Sequence, residues 1–285
     1  MIVGLLGDTH ANKNWIRFAL WKFHKEGITT VLQVGDFGIY QDESSLRYLK
    51  LANKLAEEFG ITIHVVPGNH EDWRYINKTI AEKTLDSGWA QLRSNILLAP
   101  RGHRWEWDGV SFVGLGGAPS VDRGWRKRAD ARHPNAKNPL WDPNEAITLE
   151  DVYNTIQGGH AEVMVGHDAP NGVATISHGI KGNPHGFETA DLLYAADGRE
   201  LMTQAFRGVS PKTFLHGHYH FLVNEMIVRP GLEDELFDDR GAWTHVLGLG
   251  CDGMVNSLGQ YDTETRTAHA WDVTKDITSF NRGGE

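Results

Sequence analysis

The sequence is almost without cysteine: Cys251 is the only one among 285 residues. No internal disulfide can form and thiolate-rich zinc sites are excluded, so any metal would be held by nitrogen and oxygen. No apolar run approaches the roughly 18–20 residues that a membrane span needs. Positive charge is in deficit. Lys and Arg number 28 against 37 Asp and Glu, a formal charge of −9, so bulk electrostatic binding of nucleic acid is not expected. Internal repeats and low-complexity linkers are also lacking. The opening run Met1–Gly7 is apolar but short, with no basic leader or small-residue cleavage site. It reads as a first buried strand rather than a secretion signal, and the chain reads as cytoplasmic.

What is present is an ordinary globular composition, 40% hydrophobic and 23% charged, long enough to bury a sizeable core. The pattern predicts one domain over 1–285. The first hundred residues alternate strand and helix signals. Strand-like runs at Ile2 to Leu6, Thr29 to Val34 and Ile61 to Val66 are separated by helical patterns at Asn14 to Glu26 and Ser44 to Phe59. The second helix is expected to bury Leu46, Leu49, Ala52, Leu55 and Phe59. Such a βαβαβ order implies a parallel sheet. Asp108-Gly109 predicts a hairpin turn between two short strands. Ala118 to Pro143 reads as loop, Glu145 to Ile156 as helix, and 231–239 as an acidic solvated loop. Further short strands are expected at Glu162 to Val165, Thr213 to Leu215, Thr244 to Leu249 and Thr267 to Trp271.

Five clusters share one layout, an apolar strand, a glycine turn, then Asp, Asn or His. They are Gly7-Asp8-Thr9-His10, Gly35-Asp36-Phe37-Gly38, Gly68-Asn69-His70-Glu71, Gly166-His167-Asp168 and Gly217-His218-Tyr219-His220. Ligands of parallel sheets gather beyond the carboxyl ends of strands, and each cluster falls at such an end. Singly, a Gly-Asp after a strand is ordinarily a turn, and a lone histidine is ordinarily a hydrogen-bonded one. Together they supply two carboxylates, one amide oxygen and at least four imidazoles, a donor set suited to Mn, Fe, Zn, Ni or Co. That exceeds the needs of one ion and suits two ions sharing a carboxylate. Such a pair is a clamp for phosphoryl chemistry.

In its order of motifs, from Asp8 to His220, the chain resembles the calcineurin-like metallophosphoesterases. The resemblance implies an α/β fold, a four-layer α-β-β-α sandwich with two mixed sheets and a dimetal site at the strand ends. It implies that Asp8, His10, Asp36 and His220 hold one divalent ion. Asp36 would bridge to a second, completed by Asn69, His167 and His218. Manganese is the expected ion in vitro. His70 would contact phosphate and protonate the leaving oxygen after attack by a metal-bridging hydroxide, with Glu71 or Asp168 orienting it or its neighbours. Two departures stand out. Phe37 follows Asp36 where an acidic residue or asparagine is frequent, and His216 offers an alternative pair, His216/His218, to His218/His220. The tetrapeptide Val121-Asp122-Arg123-Gly124 occurs in phosphoprotein phosphatases but lies out of order here.

The basic stretch Arg123 to Arg132 is expected as a solvated loop, or as a loop whose Arg123 and Arg126 grip phosphate. Trp125 and Trp141 could stack on a base or serve as core anchors. The expected activity is hydrolysis of a small phosphorylated substrate, a nucleotide among the candidates, with no membrane partner and the oligomeric state open. The alternatives are a nucleotide pyrophosphatase, a nuclease, or a non-catalytic metal-binding scaffold.

Overall fold

Apolar residues that run without alternation through a short strand must be buried on both faces, and this rule organises the molecule. The computed structural model describes residues 1–133, 139–229 and 243–281; the acidic stretch 231–239 lies outside them. One sheet of seven strands has the order β13-β12-β1-β2-β3-β5-β4. Its members are β1 (Ile2–Leu6), β2 (Thr30–Gln33), β3 (Thr62–Val65), β4 (Ala90–Arg93), β5 (Ile96–Leu98), β12 (Leu258–Asp262) and β13 (Thr267–Ala270). A second sheet of six has the order β10-β11-β9-β8-β7-β6. It contains β6 (Arg104–Trp107), β7 (Val110–Leu115), β8 (Val163–Gly166), β9 (Thr213–His216), β10 (Val223–Val228) and β11 (Trp243–Gly248). Both sheets are mixed. In each, four parallel strands are flanked by antiparallel ones. The hairpin turn between β6 and β7 falls at Asp108-Gly109, both in the left-handed region as a two-residue turn requires.

Side-chain alternation divides the core into three layers. Val3, Leu5, Leu32, Val34, Val163 and Val165 meet between the sheets. Their sequence neighbours Leu6 and Val31 face helices α1 (Lys13–Lys25), α2 (Glu43–Phe59) and α3 (Trp73–Lys83). On the other side Val113, Met164 and Phe214 face α5 (Leu149–Gln157) and α7 (Thr189–Val209), with α4 (Arg123–Arg132) and α6 (Ala174–Gly179) between them in sequence and α8 (Thr274–Asn281) closing the described residues. The result is the expected four-layer α-β-β-α sandwich. Among the described residues no helix is long and apolar enough to cross a membrane.

Three expectations need correction. The fully buried residues of α2 are Ser45, Tyr48, Leu49, Ala52 and Ala56, with Leu55 and Phe59 packed on the same core. Of the expected stripe Leu46 falls outside, 39% exposed, and Tyr48 takes its place. The cause is Tyr48, whose hydroxyl meets Thr9 Oγ1 at 2.8 Å beneath the β1 turn. The stretch 123–132 is not a loop but α4. Its first turn is tied to α7, where Gly124 N–H and the Arg123 guanidinium both donate to Asp191 at 2.8 and 3.1 Å. The Glu145–Ile156 pattern divides into a 3-10 turn at Pro143–Glu145 and α5, which starts at a Thr148/Asp151 capping box. The 21-residue helix α7 has no counterpart in the sequence pattern. Its interior Gly198 weakens the helical signal, yet the position demands glycine. A Cβ there would lie 2.1 Å from Pro119 Cγ.

Candidate metal centre

The carboxyl ends of β1, β2 and β3 in one sheet and of β8 and β9 in the other converge at one rim of the sandwich. Hydrogen bonds stitch the turns there across the two sheets. Thr9 and His10 N–H donate to Asp36 O, His218 N–H donates to Asp8 Oδ2 at 3.1 Å, and the His167 ring bonds Val34 O through Nδ1 at 2.8 Å. Turning so tightly forces His10, Asp36, His218 and His220 into the left-handed region, with φ of 45°, 53°, 71° and 58°. Non-glycine residues held there cost on the order of 1–3 kcal/mol each and cluster at functional sites.

Ligand atoms of Asp8, His10, Asp36 and His220 all lie within 4.8 Å of one another. Beside them the Asn69 carbonyl oxygen is 3.0 Å from His167 Nε2 and 3.1 Å from His218 Nδ1. Asp36 stands between the groups. Its Oδ1 is 3.3 Å from His167 Nε2 and its Oδ2 is 3.6 Å from His10 Nε2. All seven residues expected as ligands are thus brought together. Of the competing histidine pairs, His218 and His220 face the carboxylates. His216 is buried against Gly248, its Nδ1 on Gly217 O.

Two observations fit cations to this donor set. Asp36 Oδ2 is buried with no hydrogen-bond partner, a costly state for a carboxylate oxygen unless a cation satisfies it. The glycines before the expected ligands also leave no room for anything larger. A Cβ on Gly35, Gly68 or Gly217 would lie 2.1 Å from His167 Nδ1, 2.2 Å from Asp36 Oδ1 or 2.1 Å from Asp8 Oδ1.

The electrostatics are those of a dense set of imidazoles around carboxylates. Burial opposes ionisation of Asp36, but His167, His70 and His10 hold its carboxyl well below the usual range. Burial likewise disfavours charge on His10 and His167. Asp252 and Asp36 overcome it at His10 and raise it to about 10, and Asp36 raises His167 to about 9. His70 is shifted down by burial and by Arg126, against the pull of Asp36.

The sequence reading missed several neighbours. Asp252 accepts from His10 Nδ1 at 2.8 Å and from Asn12 at 2.6 Å, which leaves His10 Nε2 to face Asp36. It follows β11 in Gly250-Cys251-Asp252-Gly253, so the same strand-then-glycine-then-Asp signal was there to find. Ser120 and Glu145 carry no such signal. Asn69 Nδ2 donates to Ser120 Oγ at 2.8 Å, and Ser120 donates onward to Glu145 at 2.7 Å. The Glu71 carboxylate accepts from the N–H groups of Phe37, Gly38 and Ile39 and braces the turn that carries Asp36. Burial and the Asp36 charge push its carboxyl up to about 8. Asp168 accepts from Tyr219 OH, away from His70.

The two arginines part company. Arg126 is buried, paired with Asp122 at 2.8 Å and with Nη2 2.6 Å from His70 Nε2. Arg123 turns toward α7, over the Tyr194 ring and onto Asp191. Trp125 is 59% exposed, while Trp141 donates from Nε1 to Glu145 at 3.1 Å. Val121–Gly124 forms the entry to α4, with Asp122 as its N-cap.

The sequence model described as calcineurin-like phosphoesterase matches residues 1–222. No curated protein matches the sequence. Among solved structures, TT1561 of Thermus thermophilus aligns at TM-score 0.49 and 11% identity, over 95% of this chain and 98% of its own. A dimetal phosphatase from Danio rerio aligns at TM-score 0.45 and 12% identity over 91% of each chain. Another solved structure reaches TM-score 0.51 at 11% identity, over 95% of this chain and 98% of its own, and shares the fold.

Proposed function

Because the chain belongs to the calcineurin-like phosphoesterase family, whose members are metal-dependent hydrolases, we propose that it cleaves phosphate esters of small molecules with two divalent ions sharing Asp36. The observation that carries this reading is the Asp36 carboxylate, with one oxygen toward His10 and the other toward His167. Asp8, His10, Asp36 and His220 would hold one ion, and Asp36, Asn69, His167 and His218 the other. The described residues act as one catalytic domain in this reading, since β12 from the C-terminal part pairs with β1.

When bound, such ions activate water and offset charge on the phosphoryl oxygens; manganese is the ion of choice for a first assay. The chain supplies the rest. Asp36 holds an ionised carboxylate at the floor of the site. His70 lies at its edge, its ring 6.0 Å from that of His10, where it contacts the phosphate and gives a proton to the departing oxygen. Solvent then reprotonates it. Arg126 packs on the His70 ring and fixes its orientation.

Replacement tests the site. Asp36→Asn or His167→Ala should abolish hydrolysis of a chromogenic phosphodiester with Mn²⁺ and reduce the metal content measured by elemental analysis from two ions per chain. Undiminished turnover in either variant would overturn the assignment.

A further inference from the structure

The candidate metal centre forms the floor of a cavity of about 620 Å³, within the range that encloses a small organic ligand. Its two walls differ in chemistry. Asp36, Asn69, His70, His218 and His220 line the polar side. Facing them is the segment that joins α6 to α7, with the start of α7 and the residue beyond the last motif. This wall presents Ile180, Phe187, Leu192 and Phe221, with Asn183 and His185 between the first two and Arg199 further along α7. Phe221 reaches it because position 179 is glycine; a Cβ there would lie 2.7 Å from Phe221 Cζ. Tyr219 joins the walls, its ring 5.0 Å from His218 and 5.9 Å from Phe221. A continuous aromatic surface therefore leads from the ligand histidines to the apolar wall.

Positive charge is scarce along that path. Among the described residues that line the cavity, Arg199 is the one lysine or arginine, and its charge already faces the buried Asp168 and Tyr219. A polyphosphate or a polynucleotide brings further charges that several cations would have to meet. Among the described residues, the lining offers Arg199 alone, and that is already engaged. An uncharged hydrocarbon group has no such need and gains from leaving water against these side chains.

We infer that the substrate is a phosphate ester carrying an apolar, ring-sized group, which seats on Ile180, Phe187, Leu192 and Phe221 while the phosphate lies over the metal ligands. This rests on the proposed phosphoesterase reading and adds the substrate class to it.

Binding of two non-hydrolysable probes to the Mn²⁺-loaded protein, measured by calorimetry, tests the inference without relying on turnover. Phenylphosphonate should bind about tenfold more tightly than methylphosphonate, the gain expected from partly burying one ring. Ile180→Ser, at an exposed position, and Phe187→Ala should bring the two affinities to within about threefold of each other. Leu193→Ser, on α7 but outside the cavity, should keep the wild-type ratio. Equal affinities in the wild type, or a ratio unmoved by both wall variants, would overturn the apolar wall and leave the metal centre standing. If neither phosphonate binds and added Mn²⁺ makes no difference, the phosphoesterase reading falls and takes the wall with it.

Discussion

Asn69 is oriented by Ser120. A serine hydroxyl has a single proton, and that of Ser120 goes to Glu145 Oε2. Its oxygen can only accept from Asn69, so the amide nitrogen turns to Ser120 at 2.8 Å and the carbonyl oxygen is left facing His167 and His218. An asparagine amide is otherwise indifferent to a half-turn. A buried carboxylate two hydrogen bonds away thus decides which atom is offered to a cation.

Loss of this relay should weaken the proposed second ion selectively. Ser120→Ala or Glu145→Gln is expected to lower Mn²⁺ affinity at one of two sites by about 10–100-fold, the usual cost of removing such a support. Ser120→Thr keeps the hydroxyl and should restore binding. Titration with Mn²⁺ followed by calorimetry resolves the two steps; two unaltered binding steps in Ser120→Ala would remove the relay.

The glycines ahead of the ligands should be as intolerant as the ligands themselves. A methyl group on Gly217 would sit 2.1 Å from Asp8 Oδ1, and one on Gly68 2.2 Å from Asp36 Oδ1. Neither φ is left-handed, so the obstacle is space and not backbone conformation. Gly217→Ala and Gly68→Ala should each displace a carboxylate and lose bound metal. A folded Gly217→Ala protein, checked by circular dichroism, that still carried two ions would contradict the packing.

Stability should fall on mild acidification because of histidines buried as neutral rings. Burial lowers His64 and His216 from 6.5 to about 4. As pH falls below 6.5 the unfolded chain takes up these protons and the folded one does not. The stability these two rings contribute is therefore complete above pH 6.5 and is lost between 6.5 and about 4, at up to about 1.4 kcal/mol per pH unit for each ring. Urea midpoints at pH 6.5, 5.5 and 4.5 measure the slope. His64→Phe, which keeps a ring among Trp89 and Trp107, should flatten it; a slope equal to the wild type would show that His64 does not titrate as described.

The clusters at strand ends were legible because their grammar is local. Val3 to Leu6 or Val163 to Val165 can only be doubly buried strands, and a glycine followed by Asp, Asn or His marks where each one stops. The place of Tyr48 on the buried face of α2 was not legible, since it is inside only because Thr9, 39 residues away, offers its hydroxyl a partner. Nor was α4, where arginines look solvated until Asp122 and Asp191 are placed beside them.

The sequence by itself determined the parallel βαβαβ start and the five glycine-led clusters at strand ends, because periodicity and glycine placement are properties of neighbouring residues. The layered sandwich and the seven side chains expected at its rim came from the resemblance of those motifs to a known family. Only the tertiary structure decided which oxygen of Asp36 faces which histidine, which way Asn69 turns, and that Asp252, Ser120 and Glu145 stand behind the ligands. It alone also brought Ile180, Phe187, Leu192 and Phe221 into one cavity lining. These relationships join residues far apart in the chain, and no short-range pattern encodes a contact whose partner arrives from another strand end.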